Sequence, residues 1–161
     1  MTSIFAGTFN PFTIGHLEIV KKALSIFSNV IIAVADDNGK TGVKPLKDRI
    51  EIATLSTANL KGVQIIPFKG LLTDFLKSQN STQLVRGLRG EQDIIHEQTL
   101  QEVYTDLLPN INITYFLTPN NYRHISSSLV RELASLNAPF ENYVCKGLAD
   151  KIIKIYNKKE N

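Results

Sequence analysis

Five short runs of apolar, largely β-branched residues alternate along this chain with segments whose apolar residues recur at helical spacing, and nothing else in the sequence narrows its fold as far. The apolar runs lie at 3–6, 29–35, 63–67, 82–86 and 111–117, and each reads as a strand. The run at 29–35 is continuously apolar, as expected of a strand covered on both faces of a parallel sheet. Between them, Leu17, Val20, Ala23, Leu24 and Phe27 predict a first helix. A second covers 46–58, with Ile50, Ala53 and Leu55 as its apolar face and Arg49 along it. A short helix follows at 71–78. A long one runs over 91–108 and stops before Pro109. Ser126, Ser127 and Ser128 stand ahead of Leu129, Val130 and Leu133 as a helix start. A last helix is expected at about 146–157, with Leu148, Ile152 and Ile155 on one side. The polar stretch 36–43 reads as a loop.

This order predicts an α/β fold: a single-domain, Rossmann-like parallel sheet of five strands with helices on both faces. One domain is expected over residues 1–161, with the last helix packing on it. No repeat, linker or low-complexity tract divides the chain. In such sheets ligands bind beyond the carboxyl ends of the strands, so chemistry should follow strands. The polar candidates do: Thr8, Lys40, Arg86 and the serine run.

Composition excludes other classes. With 43% hydrophobic and 20% charged residues the chain is globular rather than disordered. Its apolar runs are far too short for a bilayer, and no leader precedes the first strand, so a cytoplasmic protein without membrane association is expected. Cys145 is the one cysteine; it forms no internal disulfide and reads as a buried or half-buried thiol. The formal net charge of +3 suits a phosphate-binding protein, but solubility lysines give the same number. The lysines at 151–159 read as the solvated face of the last helix. With no Trp and no aromatics interleaved among basic residues, nucleic-acid binding is not expected.

The turn after the first strand is Gly7-Thr8-Phe9-Asn10-Pro11-Phe12-Thr13-Ile14-Gly15-His16. Gly7 allows a close backbone approach, and Thr13-x-Gly15-His16 opens a helix whose free amides and dipole favour a phosphate. His16 there is placed to donate a ring N–H to a phosphoryl oxygen. Arg86 and Arg89 offer two guanidinium forks at a strand end, with Gly87 between them suggesting close ligand approach. Their bland reading is ion pairing with Asp93 or Glu97. The serine run reads as a helix cap or as a pyrophosphate cradle, two roles that coexist. His96 and His124 read as surface or packing residues, since no second ligand stands at metal-site spacing.

The ten-residue turn resembles the first motif of the nucleotidyltransferase superfamily, written HxGH and preceded by Gly-x-Phe-Asp-Pro; here Thr13 replaces the first His. The Thr-x-Gly-His form is similar to the phosphopantetheine adenylyltransferase family. Two further segments carry the resemblance: Val85-Arg86-Gly87-Leu88-Arg89 with Asp93 and Glu97, and Ile125-Ser126-Ser127-Ser128-Leu129-Val130-Arg131. Together they span nearly the whole chain.

The resemblance implies adenylyl transfer from ATP to 4′-phosphopantetheine, giving dephospho-coenzyme A and pyrophosphate in coenzyme A synthesis. It implies Mg²⁺ arriving with ATP and a homohexamer. It assigns His16 and Lys40 to transition-state stabilisation, with Lys44 the alternative loop lysine, and Thr8, Lys40, Leu72 and Arg86 to the acceptor. ATP falls to Thr8, Phe9, His16, Gly87, Leu88, Arg89, Glu97, Tyr122, Arg123, His124, Ile125, Ser126, Ser127 and Ser128. The chain departs from the family at Asn10, where Asp is usual, at His96, where Tyr is usual, and at Tyr104, where Asn is usual. Competing readings are a nicotinamide-mononucleotide adenylyltransferase, a cytidylyltransferase, and a non-catalytic nucleotide-binding module. Thr13 in place of His argues against the first two, and Asn10 favours the third.

Overall fold

The computed structural model describes residues 1–36 and 41–157. Its sheet has five parallel strands in the order β3-β2-β1-β4-β5. The strands are β1 (Thr2–Gly7), β2 (Asn29–Ala35), β3 (Val63–Phe68), β4 (Gln83–Leu88) and β5 (Asn112–Leu117). The helices are α1 (Ile14–Leu24), α2 (Leu46–Thr57), α3 (Leu72–Ser78), α4 (Glu91–Leu107), α5 (Ser127–Ser135) and α6 (Ala149–Tyr156), with single 3₁₀ turns at Asn120–Tyr122 and Glu141–Tyr143. All five expected strands and six expected helices are present, while the two 3₁₀ turns carry no apolar periodicity and were not foreseen.

Side chains alternate across the sheet as the pleat requires. Phe5, Val30, Ile32, Val34 and Val85 face one core with residues of α1, α2, α5 and α6. Ile4, Ala6, Ile31, Ala33 and Leu84 face the other, against Phe75 and Leu76 of α3 and Tyr104 of α4. Helices therefore cover both faces, and each central strand is buried on both. Of the described helices, none is long and apolar enough to cross a membrane.

Three local expectations change. α1 begins at Ile14, three residues before its first apolar repeat, because Thr13 caps it. The buried face of α2 is Arg49, Ile52, Ala53, Ser56 and Thr57, while Leu55 is exposed. The helix is thus rotated away from the face that apolar residues alone predict, and the cause is the burial of Arg49. β4 runs on through Gly87 and Leu88, so Arg86 lies within a strand.

The strand order reverses between β1 and β4, whose carboxyl ends both leave the sheet at that seam. A crevice is forced there, since successive connections depart to opposite sides.

Candidate active site

Two cavities open at this seam. The larger, about 520 Å³, is walled by the turn after β1, the end of β4, one side of α4 and the start of α5. The smaller, about 240 Å³, lies toward β3 and includes Lys69, Leu72 and Tyr104. They share Ala6, Gly7, Thr8 and Arg86, so these residues form the neck between them.

The turn after β1 is tightly ordered. Phe9 adopts a positive φ of 48° and buries its ring against Phe5, Phe12 and the edge of His16. A Cβ at Gly7 would lie 3.0 Å from the Phe9 ring, so the missing side chain also makes room for Phe9. The Asn10–Pro11 peptide is cis.

Thr13 and His16 form a reciprocal cap on α1. The backbone N–H of His16 donates to Thr13 Oγ1 (3.4 Å), and the Thr13 N–H donates to His16 Nδ1 (3.0 Å). The imidazole occupies the place a glutamate takes in the usual capping box. An amide N–H can only donate, so Nδ1 accepts and the neutral ring carries its hydrogen on Nε2. Burial, and then the positive charge of Arg89, pull the His16 pKa down to about 4. At neutral pH His16 is therefore an uncharged donor on the cavity wall, with its tautomer fixed by the backbone.

The rim across from it is built of ion pairs. Arg86 donates through Nε to Glu97 Oε2 (2.8 Å) and through Nη2 to Glu97 Oε1, and its Nη1 reaches the Ala6 carbonyl at 3.2 Å. Burial opposes the Arg86 charge, but the bonds and charge of Glu97 hold its pKa above the ordinary value. Glu97 is the one buried residue of α4. Arg89 pairs with Asp93, Nε to Oδ2 at 3.1 Å and Nη2 to Oδ1 at 3.2 Å. Against the cost of partial burial, the Arg89 hydrogen bonds and charge keep the Asp93 carboxyl below its ordinary value. Both arginines thus line the cavity already paired, the arrangement set out above as their bland reading. Gly87 is likewise explained by packing: a Cβ there would meet Ile19 Cγ1 at 2.9 Å, so α1 rests on it.

The serine run is also engaged. Ser126 caps α5 by accepting from the Leu129 N–H (3.1 Å), Ser127 donates to the Pro11 carbonyl (2.7 Å), and Ser128 accepts from Arg131 Nη2 (3.1 Å). The cap reading holds for Ser126. What the run presents to the larger cavity is the first turn of α5, whose amides have no partner within the helix.

The structure gathers Thr8, Phe9, His16, Arg86, Gly87, Arg89, Glu97, Ile125, Ser126, Ser127 and Ser128 around the larger cavity. It gathers Thr8, Leu72 and Arg86 around the smaller one. Leu88 is a buried core residue at the end of β4 and does not line either cavity. Tyr122, Arg123 and His124 also lie outside both walls. Arg123 and His124 are exposed, and His124 packs edge-on against Tyr143 (5.4 Å), which fits its reading as a packing residue. His96, by contrast, lines the larger cavity. Lys40 lies outside the described residues. The Lys44 backbone is held at both ends, its N–H by Asn10 Oδ1 (3.2 Å) and its carbonyl by Arg49 Nε (2.9 Å). Cys145 is half-buried with its thiol donating toward the Ser56 carbonyl (3.8 Å), and burial raises its pKa, which disfavours the thiolate.

Two groups escaped the sequence reading. Arg49 is fully buried and donates to the carbonyls of Thr8 (2.7 Å) in the turn after β1, Ala35 (2.8 Å) at the end of β2 and Lys44 (2.9 Å) just before α2. Arg131 donates to the Asn10 carbonyl at 2.6 Å and joins α5 to the turn. A signal for Arg49 exists: it shares an i, i+3, i+4, i+7 stripe with Ile52, Ala53 and Ser56.

Comparison with known proteins identifies the family and the fold. Residues 4–133 match the cytidylyltransferase-like family model. The chain is 40% identical over 156 residues to the phosphopantetheine adenylyltransferase of Helicobacter hepaticus, covering 97% of this chain and 94% of that one. It is 37% identical over 157 residues to the enzyme of that name from Paraburkholderia phymatum (94% and 93% covered) and 33% identical over 154 residues to that from Moorella thermoacetica (96% of both). Its fold resembles the crystal structure of a putative nicotinate-nucleotide adenylyltransferase from Vibrio parahaemolyticus, with a TM-score of 0.74, 14% identity and 98% and 96% coverage.

Proposed function

The chain belongs to the phosphopantetheine adenylyltransferase family, and from that premise we propose how its two cavities move an adenylyl group from ATP to 4′-phosphopantetheine. The larger cavity takes ATP and the smaller takes the acceptor arm. Their phosphates meet at the neck formed by Gly7, Thr8 and Arg86. The observation that carries this reading is the neutral His16, whose Nε2–H is fixed on the cavity wall beside that neck.

The acceptor phosphate is already an anion and needs no general base. Its oxygen attacks the α-phosphorus, a P–O bond forms to it, and the bond to the β-phosphate oxygen breaks. Pyrophosphate leaves with the electron pair and dephospho-coenzyme A remains. The protein's part is alignment and stabilisation of charge. His16 donates to an α-phosphoryl oxygen. Lys40, from the loop after β2, adds positive charge, and Thr8 positions phosphate at the neck. The amides of the first turn of α5, with Ser127, Ser128 and Arg89, hold the β- and γ-phosphates. Arg86 and Leu72 face the acceptor. For either arginine to grip phosphate it must share or exchange its carboxylate, so binding at this rim replaces one anion by another.

Mg²⁺ enters bound to ATP. Such an ion is typically held through substrate phosphates and few protein ligands. The active form is a homohexamer, a reading supported by Ile95, Val103 and Leu107. These are spaced along one face of α4 and exposed in the single chain.

The test is pyrophosphate release with ATP and 4′-phosphopantetheine, beside ATP with nicotinamide mononucleotide and CTP with an alcohol phosphate. Turnover is expected with the first pair alone. His16→Ala is expected to lower kcat by about 10²–10³ with a smaller change in ATP binding. Normal turnover by that variant would remove His16 from the mechanism. Tight ATP binding by the wild type with no turnover on any acceptor would favour a nucleotide-binding module instead.

A further inference from the structure

Asn10 stands where four segments meet. Its Nδ2 donates to the Gly42 carbonyl (3.0 Å), and its Oδ1 accepts from the Lys44 N–H (3.2 Å) and from the Tyr156 hydroxyl (2.7 Å). Its own carbonyl accepts from Arg131 (2.6 Å). Asn10 and Tyr156 are both buried, at 5% and 7% exposure. The pattern requires an amide. A carboxylate would accept from Lys44 and Tyr156 equally well, but it has no hydrogen for Gly42 and would set an oxygen against that carbonyl.

Three of the segments joined here wall the larger cavity: the turn itself, the loop through Val43, and the start of α5 through Ser128 and Arg131. The fourth, α6, places no residue in either cavity. Its one hydrogen bond to the site is the Tyr156 hydroxyl. Burial raises the pKa of that phenol, so it stays protonated and donating throughout the working range.

We propose that Asn10 is a positioning residue for adenylyl transfer and that Tyr156, on the last helix, acts through it to hold loop 41–44 against the catalytic turn. The proposal assigns a role to the position at which this chain departs from its relatives' usual Asp. It also gives α6 a part in catalysis that its distance from the cavity conceals. It rests on the adenylyl-transfer reading for its kinetic test alone, since loop tethering has a readout of its own.

The experiment uses the full chain and five variants. Tyr156→Phe keeps the ring and removes the donor; Asn10→Asp keeps the acceptors and removes the donor to Gly42. Each is expected to lower kcat about ten-fold, with KM for ATP and 4′-phosphopantetheine within about two-fold, because a misplaced wall costs alignment more than binding. Amide hydrogen exchange over residues 41–46 is expected to quicken at least five-fold or so in both, by loss of local protection. Asn10→Ala and the Asn10→Ala/Tyr156→Phe double variant are expected to match each other, since one contact cannot be lost twice. Thr57→Val is the control: its buried hydroxyl serves only carbonyls of α2, Ala53 and Thr54, and its removal should leave kcat unchanged. Wild-type kcat in Tyr156→Phe, additive losses in the double variant, or unchanged exchange at 41–46 would each overturn the proposal. If the wild type itself releases no pyrophosphate, the functional reading fails, and hydrogen exchange still decides the tether.

Discussion

The two sides of the larger cavity solve the same problem in opposite ways. The turn after β1 is held by groups that no substrate displaces. Arg49 ties the Thr8, Ala35 and Lys44 carbonyls, Thr13 and His16 cap each other, and Asn10 gathers Gly42, Lys44 and Tyr156. The β4–α4 rim is held by carboxylates, Glu97 on Arg86 and Asp93 on Arg89, which on the proposed reading a phosphate replaces. The first side supplies donors already aimed, which is where electrostatic catalysis gains most. The second stores positive charge in neutralised form until an anionic substrate arrives. The difference teaches that the cations nearest a phosphate site need not be its fixed part.

Arg49→Met breaks the comparison at its strongest point. It leaves the Thr8, Ala35 and Lys44 carbonyls without their donor inside the protein. The expected cost is about 3–5 kcal/mol, read as a lower urea midpoint, since each buried acceptor loses a charge-assisted bond. A loss below about 1 kcal/mol would mean that the turn holds its shape without the guanidinium.

His16 sharpens the same side through pH. In the folded protein its pKa is about 4, against an ordinary value of 6.5. Between those values the unfolded chain binds more protons than the native one, so stability rises with pH across the window. The contribution is whole above pH 6.5 and is lost as pH falls toward 4. It amounts to at most about 3 kcal/mol, reduced because the ring is still partly exposed in the cavity. Urea midpoints from pH 7.5 down to pH 4 should fall in the wild type and flatten in His16→Asn. The kcat profile should show no ionisation near pH 6.5. A limb there would mean that the ring is protonated in the working enzyme.

How far these two sides could be read from the sequence differs for a physical reason. Strands and helices were legible because periodicity and continuous apolar runs report burial directly. The Thr13-Ile14-Gly15-His16 string was legible as a helix start because capping is local. Arg49 was not, because two of its partners, Thr8 and Ala35, lie 41 and 14 residues away in sequence, and its charge argued for an exposed face; the same error rotated α2 by placing Leu55 inward. Gly7 and Gly87, read as ligand clearances, are also clearances for Phe9 and Ile19, a second constraint only packing can reveal. At the rim both carboxylates were foreseen as partners, since Arg89 and Asp93 stand four apart on adjoining segments. Tyr122, Arg123 and His124, which the resemblance assigned to ATP, stand outside the walls of both cavities.

On the rim, Glu97→Gln tests whether the stored charge is exchangeable. Arg86 loses a bidentate carboxylate and keeps one weaker acceptor, at an expected cost of about 2 kcal/mol. The freed guanidinium should then meet the acceptor with less competition, so KM for 4′-phosphopantetheine should fall roughly two- to three-fold even as stability declines. Opposite signs in stability and KM mark an exchangeable pair. A KM that rises with the loss of stability would make Glu97 as structural as Arg49.

The smallest effect is the most discriminating. Asp93 and Arg89 are partly exposed, at 26% and 47% of their side chains, and stand four residues apart across the start of α4. Such pairs contribute under about 1 kcal/mol. Asp93→Asn keeps an oxygen for the Arg89 backbone N–H, which now donates to Oδ2 at 2.8 Å, so the loss should be smaller still. The variant leaves Arg89 uncompensated beside the cavity, and KM for ATP should drop modestly. That gain should shrink as salt is raised, because an exposed charge acts through screened solvent. Midpoints and KM at two ionic strengths decide it. Should Asp93→Asn cost as much stability as Arg49→Met, the rim would be built like the turn. ATP would then have to displace a structural bond, and the division between a fixed and an exchangeable wall would have no physical basis.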